Sequence, residues 1–186
     1  MKRALHLGAA SMAALLITAA AASAQVTILT ATLGGGEETP ILLSGAAGNA
    51  EVVVDTAAKE FVVTLRIFNI PTTTTAGHIH VGSKGVAGPV VIDFPNIAGR
   101  LGDFVTAFRV GQASFRPNAA IGINTIDDVI QAVLNGNAYV NVHTTTNPAG
   151  EIRGQLVVLT PEPATMGLLA LGLAGIAAMS TRRRRV

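Results

Sequence analysis

"VVVDTAAKEFVVTLRIF", residues 52 to 68, sets two runs rich in β-branched and aromatic residues on either side of a short polar break at 55–59. Runs that alternate apolar and polar side chains suit strands with one dry and one wet face, and the break suits a turn, so this stretch predicts a β-hairpin. The pattern continues outward in both directions, punctuated by glycine and proline. It predicts strands over 26–33, 50–55, 60–69, 77–81, 90–94, 104–110, 139–144 and 151–159. "HTTTNPAGEIRG" predicts a second hairpin, turned at Asn147, Pro148, Ala149 and Gly150, each a residue type that suits a tight bend. "PTTTT" (71–75) reads as an exposed loop and "GGGEE" (34–38) as a flexible turn or bulge, with Glu37 and Glu38 solvated.

One segment breaks the period of two. In "TIDDVIQAVLNGN", Ile126, Val129, Ile130, Val133 and Leu134 fall at helical spacing. Thr125 can cap the start, Asp127 and Asp128 suit the positive end, and Asn135-Gly136 can end the helix. The expected fold class is all-β: an antiparallel β-sandwich or barrel with one short helix, flanked by an N-terminal signal peptide and a C-terminal transmembrane helix.

The two ends carry those flanking expectations. Residues 1–24 join a basic start at Lys2 and Arg3 to an apolar stretch and an Ala22-Ser23-Ala24 site. This is the layout of a secretory leader cut by signal peptidase between Ala24 and Gln25. The far end, 161–186, opens with Pro161-Glu162-Pro163. An uncharged run over 164–180 follows, at the lower limit for a membrane span, and then Arg182, Arg183, Arg184 and Arg185. Four arginines resist translocation and hold their end in the cytoplasm. This order of parts resembles the PEP-CTERM sorting signal of Gram-negative bacteria. The resemblance implies export, processing by an exosortase-type protease near the proline motif, membrane anchoring before that cut, and delivery to the cell surface or extracellular matrix.

Between the ends, residues 25–160 form one domain-sized β unit. The formal charge of +2 misleads, because six of the 13 basic residues sit in the terminal segments. The β unit has seven basic residues against ten acidic ones, a net of about −3, so a nucleic-acid partner finds no support. There is no cysteine, so the fold must hold in an oxidising compartment without disulfides. There is no tryptophan and one tyrosine, Tyr139, which argues against sugar binding by exposed aromatic stacking.

Of four histidines, His6 lies in the leader and the others fall in two motifs. On a strand, alternate side chains share a face. His78 and His80 therefore point one way, with Ile79 and Val81 toward the core. Tyr139, Asn141 and His143 share a face, as do Glu151, Arg153 and Gln155. If these strands are neighbours, their side chains form one polar cluster, with Asn141, Glu151 and Arg153 as members. The motifs "GHIHVGSKGVAGPVV" and "GNAYVNVHTTTNPAGEIRGQL", some 50 residues apart, resemble the CHRD domain, named after chordin. The resemblance spans most of 26–158 and implies a β-rich extracellular module; chordin's cysteine-rich modules are absent.

Two functions follow as expectations. The first is a non-enzymatic surface or matrix module, without a cofactor, that works by adhesion or by binding an unidentified partner. The second is a metal-binding protein, in which His78, His80 and His143 offer three imidazoles to copper or zinc and leave one position open. Asn141, Glu151 or Asp93 then stand behind the ligands or bind weakly. "HIH" and "NPAG" are also similar to stretches of copper-zinc superoxide dismutases, but three histidines cannot hold that two-metal centre, and the enzyme reading is rejected on ligand count. No serine sits in G-x-S-x-G, and "GSKG" (82–85) lacks the spacing of a phosphate loop.

Overall fold

The computed structural model describes residues 26–159 and 171–172. The expected leader with its Ala24–Gln25 cut, the Pro161-Glu162-Pro163 motif, the arginine cluster and nearly all of the expected membrane helix lie outside the described residues. Among the described residues no helix is long and apolar enough to cross a membrane.

The hairpin forms as its sequence dictates. Strand β2 (Ala47–Asp55) pairs antiparallel with β3 (Glu60–Ile70), from Asp55↔Glu60 to Ala47↔Phe68. Asp55 closes the turn, its Oδ1 accepting the N–H groups of Ala57 and Ala58 at 3.0 and 2.8 Å. Val52, Val54, Phe61, Val63, Leu65 and Ile67 point to one side and are fully buried. Strand β1 (Val26–Gly34) flanks β2, and β6 (Gly102–Val110) flanks β3.

The remaining strands are β4 (Thr74–Val81), β5 (Val90–Asp93), β7 (Ala138–Thr144), β8 (Ile152–Gln155) and β9 (Val157–Val158). The sheet runs β5-β4-β7-β8-β1-β2-β3-β6, antiparallel at every pairing, with β9 on β1. Past β6 the chain returns to the opposite edge. Phe115 bridges Ile92, and the Arg116 N–H donates to the Val91 carbonyl at 2.9 Å. The sheet is thus a nearly closed barrel, which leaves little free edge. Helix α1 (Ile126–Leu134) starts at a capping box between Thr125 and Asp128 and buries Ile126, Val129, Ile130 and Val133 in the same core.

Local expectations shift in three places. The last strand divides, because Leu156 is buried and gives its N–H to the Ala138 carbonyl, which interrupts the ladder to β1. Gly154 lets β8 approach β1, since a Cβ there would lie 2.3 Å from the Thr32 carbonyl oxygen. Thr74 is buried rather than looped out: β4 begins there because its hydroxyl and N–H bond the carbonyls of Ile97 and Arg100. Residues Gly35–Glu37 form a turn of 3-10 helix.

Candidate functional site

Strand β7 is buried on both faces. Val140 and Val142 enter the barrel core. Tyr139, Asn141 and His143 point outward, yet the segment after β1, the 82–89 loop and the 146–150 turn cover them. Register then decides which polar side chains meet. His78, Asn141 and Arg153 form one row across β4, β7 and β8; His80, Tyr139 and Gln155 form the next. His143 pairs with Ala76 and lies diagonal to His78.

This brings His78, His80 and His143 together, each offering a ring nitrogen within 4.8 Å of the others. His80 Nδ1 faces the Gly88 carbonyl at 2.8 Å, and His143 Nδ1 faces the Pro148 carbonyl at 3.0 Å. A carbonyl only accepts, so both Nδ1 atoms carry the proton and both Nε2 atoms carry a lone pair. The Nε2 of His80 is buried without a hydrogen-bond partner. His143 Nε2 lies 3.0 Å from His78 Nδ1, which therefore donates to it. Moving that proton to His78 Nε2, 3.4 Å from Asp93 Oδ1, frees a third lone pair. Each imidazole thus has its remote nitrogen on a carbonyl or carboxylate, the arrangement that fixes ring orientation in metal sites. Two nitrogens on one zinc or copper ion lie at most about 4.1 Å apart, so the cluster needs to close by less than ~1 Å to hold one.

Burial sets the charge state. It pushes His78 down to about 4, helped by the neighbouring His143 and His80. Burial also takes His80 to about 4, against the pull of the Gly88 carbonyl, and lowers His143. All three are neutral at pH 7, the form that binds metal.

Around the triad, Tyr139 stacks on His80 with ring centroids 4.9 Å apart, and the Arg153 guanidinium lies 3.5 Å from the Tyr139 centroid. The Tyr139 hydroxyl accepts from the Gly88 N–H at 2.9 Å and so holds the carbonyl that orients His80. Arg153 donates to the Val86 carbonyl at 2.9 Å and fastens the same loop. Arg116 grips Asp93 from the far side of His78.

Two acids depart from expectation. Glu38 is buried, not solvated: the chain folds back after β1 and places it beside Asn141 and Gly150. Burial raises its carboxyl to about 7, against the pull of Arg153. Glu151 stands away from the histidines. It accepts from the Ser44 hydroxyl, from Thr144 Oγ1 at 2.9 Å and from Asn147 Nδ2 at 2.5 Å, and so braces the 146–150 turn. Burial pushes Glu151 up, but these bonds outweigh it and hold its carboxyl below the usual range. Asn141 likewise sits toward Glu38. Of the acids expected behind the ligands, Asp93 is the one placed there. Tyr139 was legible as a residue on the histidine face; Glu38 carried no sequence signal, since a loop alone positions it.

The family model of the CHRD domain matches residues 29–156, and that of the PEP-CTERM protein-sorting motif matches 159–185. No curated protein and no solved structure matches the chain. The sorting motif marks an exported protein, handled by an exosortase-type protease and anchored at the membrane or surface of a Gram-negative cell. With the nearly closed antiparallel barrel and the family match over most of its length, the chain belongs to the CHRD domain family.

Proposed function

We propose that this exported module is a non-enzymatic binder of copper or zinc, held at the cell surface and loaded at His78, His80 and His143. One observation carries the reading: three neutral imidazoles converge, the remote nitrogens of His80 and His143 already donate to carbonyls, Asp93 stands 3.4 Å from that of His78, and the buried His80 Nε2 has no partner. An unpaired buried acceptor is costly, and a metal ion satisfies it. Three protein ligands leave a fourth position for water or a small ligand.

The test is titration of the purified full chain in detergent with zinc and with copper(II). One equivalent is expected to bind, and a hundredfold excess over Kd would stabilise the fold by about 2.7 kcal/mol. His80→Ala should abolish both effects while leaving the far-ultraviolet circular dichroism of the barrel. Absence of stoichiometric binding and of any melting shift with either metal sinks the reading.

A second reading, adhesion or matrix assembly through a surface partner, is favoured by the loop after β1. There Ile41 and Leu43 are 71% and 98% exposed, beside a cavity of about 200 Å³. Covering both side chains with another macromolecule would remove their apolar area from water. Loss of matrix or cell-surface retention in a doubly substituted Ile41→Ser, Leu43→Ser chain would support it; unchanged retention would discard it.

A further inference from the structure

The outer face of the barrel carries an apolar row that the metal site does not use. Leu29, Val52 and Val63 fill the core, so Ile28, Val53 and Val62, one residue away on each strand, point outward. They lie side by side across β1, β2 and β3, through Ile28↔Val53 and Val53↔Val62. The row continues on the other side of β1. The Leu159 N–H donates to the Ile28 carbonyl at 2.8 Å, and Val157 pairs with Thr30. Val26, Ile28, Val157 and Leu159 are 52%, 39%, 55% and 57% exposed. Soluble domains scatter exposed apolar side chains singly; a contiguous row marks a contact surface.

What the row contacts follows from where the chain goes next. Leu159 belongs to the row, and the uncharged 17-residue run 164–180 begins five residues later. Five residues span at most about 18 Å fully extended. While that run occupies a bilayer, Leu159 therefore lies within about 18 Å of the membrane, with only Thr160, Pro161, Glu162 and Pro163 between. Val26, at the other end of the domain sequence, opens the same face. The row ends at Arg109, which pairs with Val62 across β3 and β6 and whose guanidinium holds the Glu60 carboxylate at 2.7 Å.

We infer that this β1–β2–β3 face and the Val157–Leu159 segment rest on the phospholipid surface while the chain is anchored. This presents the Pro161-Glu162-Pro163 motif at the interface, where a membrane-embedded protease can reach it. The inference rests on the sorting-motif match and the apolar tail, not on the metal reading. Interfacial contact of this kind scales with the apolar area buried among the headgroups.

The chain has no cysteine, so single cysteines can be placed without background. The full chain would be reconstituted into vesicles of phosphatidylethanolamine and phosphatidylglycerol and labelled with an environment-sensitive fluorophore at Ile28→Cys, Val157→Cys, Lys84→Cys or Leu171→Cys. Quenching by aqueous iodide is the readout. Labels at 28 and 157 should be quenched about threefold less than at 84, with 171 protected most. Equal quenching at 28, 157 and 84, with 171 protected, overturns the inference and leaves the anchor standing. An accessible label at 171 removes the anchor and the inference together. Protection at 28 and 157 that persists without vesicles and rises with protein concentration assigns the face to a second copy and likewise overturns it.

Discussion

Replacing Glu38 by glutamine should stabilise this protein above neutral pH and do nothing for it in mild acid. Burial raises the Glu38 carboxyl from 4.5 to about 7. The folded state therefore holds this proton more tightly than the unfolded chain. The stabilisation it gives is complete below about pH 4.5 and is lost as pH rises through 7. At about 1.4 kcal/mol per pH unit the interval amounts to ~3 kcal/mol. Solvent at the edge of the loop screens the charge and reduces this to on the order of 2 kcal/mol. Glutamine keeps the shape and the contact with Asn141 but never ionises, and Arg153 keeps its acceptor on Val86. Glu38→Gln should therefore gain on the order of 2 kcal/mol at pH 8, about 6–10 °C in Tm for a domain of this size, and match the parent at pH 4.5. Thermal unfolding of the full chain, followed by circular dichroism at both pH values, measures it. No gain at pH 8, or the same gain at pH 4.5, would show that the carboxyl is not buried in its charged form and would refute the reasoning.

Acid should act in the opposite sense through the histidines. In the metal-free protein, His78 and His80 resist protonation until about pH 4, so stability should fall as pH drops from 6.5 toward 4, and a urea series at fixed pH steps would show it. Gly88→Ala puts a Cβ 1.7 Å from the Val81 carbonyl oxygen; the 82–89 loop must move, at a cost of about 3 kcal/mol or more in urea unfolding. Asp93→Asn should weaken metal binding about 10–100-fold with little change in melting of the metal-free form, read by competitive titration against a chelator. Thr125→Ala removes the cap of α1 and should cost about 1 kcal/mol, measurable as a lower urea midpoint at unchanged slope. Alanines at 161, 162 and 163 should leave a longer, membrane-retained product in a host with the processing protease; unchanged size and secretion would refute the sorting argument.

Most of the fold was legible because its signals are local. Phe61, Val63, Leu65 and Ile67 recur every second residue, and Ile126, Val129, Ile130 and Val133 every third or fourth, so period alone separates strand from helix. The splitting of the last strand was not legible, because it depends on Leu156 preferring the Ala138 carbonyl across the barrel. The site was half legible. Alternation places His78 and His80 on one face in any strand, whatever the fold. It is silent on register, and a shift of one residue between β4 and β7 would have turned His143 away.

By itself the sequence determined the β class, the helix with its cap, the C-terminal sorting motif and the faces on which the histidines lie, since each depends on neighbours a few positions away. The tertiary structure alone decided that β4, β7 and β8 lie side by side and that three loops close over their polar face. It also decided that Glu38 is buried there while Glu151 turns to a hairpin. The physical reason is that burial and pairing belong to contacts between segments tens of residues apart, and these set which nitrogen keeps its proton and which lone pair is left to bind.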